Sequence, residues 1–401
     1  MIHKKKIRLA SKTSCSGCFA CYEICRHNAI DLITINGILF PKIDSCKCIK
    51  CHACENSCPI LNPISRNNIS EFKVFGGWAK DDTLRIPAAS GGAFSALALT
   101  FLTKYSDKAY VVGAQLTKNN DVEHIIIDTP EDISLLRNSK YIQSNTIGIF
   151  RKVKEKLNNG AHILFSGTPC IVAGLYGYLR NNYPKERLIT IDLVCNSVAS
   201  KEALKIALQL ANADRIAFFR DKIGGQANGQ TTTMVINGAP KRNNHNSDPF
   251  YKIFGSGLLA RPSCSNCKYS RINRIADITL ADFWGLNSLE QEYQKGISLI
   301  IANNEHGFQI IKSSEKNLHI FNSSISKALR SNPRLHSGYK FIQYHPIVLY
   351  GDFFKRILPN KVRISILLNQ MPWRLLWGIL RYMTKLYEKY NYRHIVKKYK
   401  I

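Results

Sequence analysis

Cys15, Cys18, Cys21 and Cys25 stand at the spacing C-x2-C-x2-C-x3-C, and Cys48, Cys51, Cys54 and Cys58 repeat it, with Pro59 after the last. Three thiolates at this spacing can wrap three irons of one cubane, while the fourth cysteine lies past the turn and reaches the other cluster. The pattern predicts two 4Fe-4S clusters, one on Cys15, Cys18, Cys21 and Cys58 and one on Cys48, Cys51, Cys54 and Cys25. Tetrahedral zinc also uses C-x2-C pairs, but it does not need four cysteines per half at a spacing given twice. Cys46 is left over; as a small buried residue or a spare thiol it needs no role. Lys12, Arg26, Lys47 and Lys50 sit beside the ligands. Cations there would favour the reduced cluster, dock an acidic electron donor, or simply stand in water.

Four more cysteines lie downstream. Cys170 follows Pro169, Cys195 ends the apolar run 188–194, and Cys264 with Cys267 forms a C-x2-C after Arg261-Pro262-Ser263. Strand ends of an α/β sheet converge on one rim, where ligands bind, so thiolates from three segments can meet there. A third 4Fe-4S cluster is expected. A zinc or redox C-x2-C pair with two buried free cysteines is the open alternative. Two glycine turns, Ser90-Gly91-Gly92 and Gly167-Thr168-Pro169, each precede a helix and would present backbone N–H groups at its N-terminus, where anions bind. Beside electron-transfer clusters, a flavin nucleotide is the natural ligand for them.

The elements that must hold these groups can be read from the pattern. Runs 30–35 and 38–43 flank Asn36-Gly37, a pair suited to a type I′ hairpin. The segment 62–70 reads as a linker. Beyond it, strand-like runs at 74–79, 109–116, 161–166, 188–194, 234–237, 275–281 and 297–303 alternate with helices at 92–104 and through Ile147, Phe150, Val153 and Leu157. The fold class is α+β or α/β. It comprises a ferredoxin-like domain at 1–66, a mixed α/β flavin-binding core at 71–340, and a basic helical tail at 341–401.

Composition bounds the function. The 401 residues suit about two to three domains, and 45% hydrophobic content excludes general disorder. Lys+Arg of 56 against Asp+Glu of 28 gives +28, a figure that metal-bound thiolates would lower. Nine of 13 cysteines fall between Cys15 and Cys58, unlike a secreted disulfide scaffold. Residues 1–14 hold no apolar stretch of signal-peptide type, so a reducing, cytoplasmic location is expected. No paired carboxylates or Ser/His/Asp order signals hydrolysis.

Several motifs resemble, in order, those of the beta subunit of coenzyme F420 hydrogenase/dehydrogenase. They are Ser90-Gly91-Gly92-Ala93-Phe94, Ser139-Lys140-Tyr141-Ile142-Gln143-Ser144, Gly167-Thr168-Pro169-Cys170, Asp192-Leu193-Val194-Cys195, Phe219-Arg220-Asp221-Lys222, Arg261-Pro262-Ser263-Cys264 with Cys267, and Asp282-Phe283-Trp284-Gly285. The first 60 residues resemble a bacterial-type two-cluster ferredoxin, with Arg26 where that motif often has Pro. The resemblance implies an iron-sulfur flavoprotein oxidoreductase passing electrons between 4Fe-4S clusters and FAD. Its flavin pocket would be Ser90, Gly91, Gly92, Lys140, Tyr141, Gly167 and Thr168. Asp282 and Trp284 would contact a ligand, although Ala281 replaces a Gly often found before this Asp. Reduced ferredoxin or another redox protein would be the partner, and a small molecule, in bacterial relatives one of surface-polysaccharide synthesis, the substrate. The alternative is an electron-transfer subunit serving a separate catalytic protein, with F420 or ferredoxin as redox partner.

From Asp352 to Ile401 there are 12 Lys+Arg against two Asp+Glu. Arg374, Arg381, Lys385 and Lys389 fall on one helical face, and Trp373, Leu376, Trp377, Leu380, Met383 and Tyr387 on the other. Such a helix suits either peripheral contact with the inner face of an anionic membrane or docking onto the core. No nucleic-acid module is recognisable in it.

Overall fold

Ile163–Phe165, Leu188–Ile191 and Leu299–Ile301 are near-continuous apolar runs, the signature of strands covered on both faces. In the computed structural model they form the centre of an eight-stranded mixed sheet. The structure describes residues 7–338 apart from 223–224, 227–230, 245–246, 258 and 287–288, together with 382, 385–386 and 389–399. In chain order the strands are β1 (Ile30–Ile35), β2 (Ile38–Ile43), β3 (Lys73–Ala79), β4 (Ala109–Leu116), β5 (Val122–Ile127), β6 (His162–Gly167), β7 (Leu188–Leu193), β8 (Arg215–Phe218), β9 (Thr233–Ile236), β10 (Ala239–Arg242), β11 (Ile278–Asp282), β12 (Ser298–Ala302) and β13 (Leu318–Asn322). The large sheet runs β13-β3-β12-β11-β7-β6-β4-β5, β8 to β10 form a small antiparallel sheet, and β1 pairs with β2.

Strand direction decides where ligands can gather. β4, β6, β7 and β11 are mutually parallel, and β12 is antiparallel to both β11 and β3. β3 therefore points the same way as β11, and the carboxyl ends of β3, β11, β7, β6 and β4 share one rim. Successive side chains face opposite layers. Leu164 joins the Ala93–Lys104 and Glu305–Ser313 helices on one face, whereas Ile163 and Phe165 join the Ile149–Asn158 and Pro169–Leu179 helices on the other.

The Asn36-Gly37 turn closes β1 on β2 with Ile35 opposite Ile38, and both turn residues have positive φ, 52° and 73°. This is the type I′ geometry expected. The expected strands in the core are found with ends shifted by up to three residues. β5, β8, β10 and β13 were not anticipated: β10 is exposed along its length and carries no apolar alternation.

The cysteine-rich head is bound into the core. Cys18 and Ala20 share one apolar cluster with Phe150, Val172 and Tyr269. The Pro169–Leu179 helix admits this approach because it carries glycines where the head presses: a Cβ on Gly174 would overlap Cys18 Cβ, and one on Gly177 would overlap the Ser57 carbonyl. Glu23 accepts from the Phe150 and Arg151 N–H groups at 3.4 and 3.0 Å, capping the Ile149–Asn158 helix from outside. The 62–70 linker is also anchored. Arg66 donates to the Asn273 and Lys268 carbonyls, and Asn67 to that of Ala276.

Of the tail, Trp373, Arg374, Leu376, Trp377, Leu380, Arg381, Met383 and Tyr387 lie outside the described residues. Its last turns dock: Tyr392, Ile395 and Tyr399 pack against the cluster around Leu299 and Leu329, and Tyr399 Oη donates to Asn273 at 2.9 Å. Among the described residues no helix is long and apolar enough to cross a membrane.

Glycine to alanine inside a helix ordinarily stabilises by about 1 kcal/mol. Gly174→Ala should do the reverse, because the new methyl meets Cys18; urea unfolding should show a loss of about 1–3 kcal/mol.

Candidate iron-sulfur and rim site

All 13 cysteines are free thiols. In the head, Cys15, Cys18, Cys21 and Cys58 line one apolar cavity with Phe19 and Pro41, which is the crossed set the spacing predicts. The crossing is possible because Cys58 follows the short Ala53–Ser57 helix and folds back over the first cysteine loop. Burial pushes the Cys18 thiol up to about 12, and the neighbouring sulfurs of Cys58 and Cys15 add to it. In the other half, Cys54 is electrostatically next to Cys51 and Cys48, and Cys25 packs against the apolar cluster that Cys54 forms with Cys21 and Ile30. Cys51 is exposed, as is Ile49 at 57%, so this half faces solvent. Lys47 beside it pairs with Asp44 at 3.2 Å. Cys46 is exposed, not buried.

Cys170, Cys195, Cys264 and Cys267 meet at the rim. Cys170 opens the helix after β6, Cys195 follows β7, and Cys264 closes a short 3-10 turn. Burial raises the Cys170 thiol to about 11 and that of Cys264 to about 12, in both cases with Cys267 as the leading sulfur neighbour. Cys195 is raised by burial and then by Cys264, Cys170 and Cys267. Four half-buried cysteines thus gather at one point on the rim, where neighbouring sulfurs make the ionisation of Cys170, Cys195 and Cys264 harder. Among the described residues no three His, Cys, Asp or Glu side chains close to the distances of a single bound ion.

The head and rim sets are neighbours. Cys18 abuts Gly174, four residues from Cys170, which is a rise of about 6 Å along the helix. Tyr269 is buried between the two sets; burial and then Cys18, Cys170, Cys267 and Cys58 hold its hydroxyl well above the usual phenol range. Arg261, 1% exposed, ties the halves together. It donates to the Cys15 carbonyl at 2.7 Å, the Cys15 sulfur at 3.4 Å and Gln143 at 2.7 Å. Arg274 pairs with buried Asp192 at 2.8 Å and donates to the Leu193 carbonyl, fixing the end of β7 ahead of Cys195. Sequence reasoning missed the roles of Tyr269, Arg261 and Arg274. Arg261 belongs to the Arg-Pro-Ser-Cys motif, but nothing in the sequence shows that its partner lies 246 positions away.

The seven flavin candidates divide into two groups. Ser90, Gly91 and Gly92 lie at the end of β3. The Gly91 N–H donates to Ser298 Oγ at 3.1 Å, the Gly91 carbonyl accepts from Ala79, and the Ser90 carbonyl accepts from Lys222 Nζ at 2.7 Å. At Gly91 this turn spends its N–H on the sheet rather than presenting it to an anion. Gly167 and Thr168 lie at the end of β6, four strand positions away, roughly 19 Å, and Lys140 and Tyr141 stand on the loop ahead of the Ile142–Ala199 bridge. Lys140 is half-buried, its ammonium desolvated enough to be lowered to about 7, and it donates to the Leu136 and Arg137 carbonyls. Thr168 caps the Pro169–Leu179 helix, with its hydroxyl 3.2 Å from Cys170 Sγ. Tyr141 packs among Phe219, Tyr251 and Phe254. Asp282 ends β11 and ion-pairs with Arg220, whose guanidinium stands over Trp284.

An α/β core with thiols collected on its carboxyl rim, wired to a cysteine-rich head, defines the general class. Residues 74–151 match the family model for the N-terminal part of the coenzyme F420 hydrogenase/dehydrogenase beta subunit, and residues 160–327 match the model for its C terminus. The chain belongs to the family of coenzyme F420 hydrogenase/dehydrogenase beta subunits, which are components of oxidoreductases. The F subunit of F(420)H(2) dehydrogenase of Methanosarcina mazei is 24% identical over 190 residues, which are 45% of this chain and 53% of that protein. The chain therefore spans about half the length of that curated relative. Among solved structures, a chain of the F420-reducing NiFe hydrogenase complex of Methanosarcina barkeri is similar at a TM-score of 0.44 and 16% identity. That match covers 65% of this chain and 83% of the other.

Two outcomes test the site's electrostatics. In metal-free protein at pH 8, iodoacetamide should label Cys46 and Cys51 first and spare Cys18, Cys170 and Cys264 until the chain unfolds, as read by mass spectrometry. His124, behind Gly167, donates from Nε2 to the Ser166 carbonyl and holds Nδ1 against Ser144 Oγ. Burial lowers it to about 4, so it is neutral in the fold. Below pH 6.5 the unfolded chain binds a proton that the native state refuses, so stability falls as pH drops from 6.5 toward 4. His124→Gln should remove about 2 kcal/mol of the urea-unfolding difference between pH 7 and pH 5.

Proposed function

We propose that this protein is an iron-sulfur electron-transfer subunit of an oxidoreductase. In this reading residues 1–66 carry two 4Fe-4S clusters, the rim of the 71–340 core carries a third, and 341–401 is an appended tail. The observation that carries it is the grouping of twelve of the 13 cysteines into three sets of four, two of them neighbours across the Gly174 contact and one open to solvent. When bound, the clusters supply one-electron chemistry. The chain's own part is to hold the thiols in place, exclude water from the inner two sets, and keep the sets close.

The solvent-facing set lies beside Lys47, Lys50 and exposed Ile49, a surface of suitable charge for an acidic redox protein such as ferredoxin. The innermost set opens on the rim, where electrons would be exchanged with a flavin or a partner's cofactor. For FAD, the support lies on the β6 side. Gly167 and Thr168, the residues that lead into an eleven-residue helix, stand beside Cys170. The engaged Ser90-Gly91 turn contributes shape rather than donors. The name of the curated relative supports F420 as a redox partner at the rim, with a separate catalytic subunit.

Protein reconstituted without oxygen should hold about twelve irons and as many acid-labile sulfides per chain. Cys195→Ser should lose about four of each while the head signals persist, and Cys58→Ser should lose head iron instead. Zinc without sulfide, or iron unchanged in both variants, would overturn the reading.

A further inference from the structure

Arg220 is the residue whose chemistry the preceding roles leave unused. It follows β8, is only 4% exposed, and lies at the rim where β11 ends. Its Nη1 ion-pairs with Asp282, whose other oxygen faces Gln226 Nε2 at 3.4 Å. Trp284 closes one face of the guanidinium at 5.1 Å. Tyr141 and Tyr251 stand within its electrostatic reach, their rings edge-on to each other at 6.0 Å. Nε and Nη2 are both buried without a hydrogen-bond partner among the described residues.

Those two atoms are not an arbitrary pair. Nε–H and one Nη2–H point the same way and form the side edge of the guanidinium, which takes both oxygens of a carboxylate or phosphate. Asp282 occupies the end of the fork and leaves this edge open. A buried charged donor without a partner is costly and rare in native structures, so a site that maintains two in parallel is shaped for something to fill them. Lys222 adds positive field, although its own Nζ is committed to backbone carbonyls. The location is also apt: Leu280, two residues before Asp282, accepts from the Val194 N–H just ahead of Cys195.

We propose that the Nε/Nη2 edge of Arg220, held by Asp282 and Trp284, is a binding site for one oxyanion, a carboxylate or phosphate of the molecule that exchanges electrons at the rim. The site stands on the guanidinium geometry and does not depend on iron occupying the cysteines. The oxyanion can come from a flavin nucleotide or from the substrate, and the two sources are separable.

Full-length protein and Arg220→Lys, which retains the charge but not the fork, are titrated calorimetrically with inorganic phosphate, FAD and riboflavin, with circular dichroism as the check on folding. The wild type should bind phosphate at one site, and Arg220→Lys should weaken it at least tenfold. If FAD also weakens tenfold while riboflavin does not, the oxyanion is the flavin's. If FAD is unchanged, it is the substrate's. Equal phosphate affinity in the two proteins, or no phosphate binding by the wild type, would overturn the proposal. Should the variant not fold, a crystal of the wild type grown in phosphate decides: an anion bridging Nε and Nη2 is expected, and water alone there is the contrary result.

Discussion

Thiolates cannot be packed together in a dry interior unless something positively charged holds them there. Burial first, and neighbouring sulfurs in the same direction, push Cys18 and Cys264 up to about 12. A chain using these cysteines as ordinary core residues would have no reason to group them in fours, and one using them as cross-links would have paired them. In the proposed reading, much of the architecture serves to meet this constraint three times. Crossed loops close the head, and the parallel strands β6 and β7 end side by side so that Cys170 and Cys195 reach a common point with the Cys264 turn.

The second requirement is closeness, and glycine supplies it. A helix carrying Cys170 at its first turn presents Gly174 and Gly177 to the head, so the two chain segments approach more nearly than any side chain would permit. Arg261 then satisfies the head's backbone across the seam, and Glu23 in turn caps a core helix. These contacts make the relation between head and rim a property of packing rather than of a tether.

How much of this the sequence reveals depends on whether the signal is local. Cysteine spacing, the Asn-Gly hairpin and the apolar runs of β6, β7 and β12 are local and were legible. The grouping of Cys170, Cys195, Cys264 and Cys267 was reachable only because strand ends in an α/β sheet share a rim. Arg261, Tyr269 and Arg220 were not legible in their roles, since each acts on partners brought near by the fold alone. The Ser90 turn shows the converse. Its glycines resemble an anion loop in sequence, yet Ser298 Oγ takes the Gly91 N–H that an anion would need, and Gly91 is small because Gly77 O and Ser298 N lie 2.7 Å from where its Cβ would stand. Edge strands such as β10 escaped notice because solvent on both faces erases the alternation.

The central claim, that the neighbouring head and rim thiols hold paramagnetic centres close enough to interact, is tested most directly by electron paramagnetic resonance of the anaerobically reduced full-length protein. The expected spectrum shows signals broadened by mutual magnetic coupling, with the coupling to the inner head centre abolished by Cys195→Ser. A spectrum of narrow, independent signals that the substitution leaves unaltered, or no signal at all after reconstitution with iron and sulfide, would contradict it.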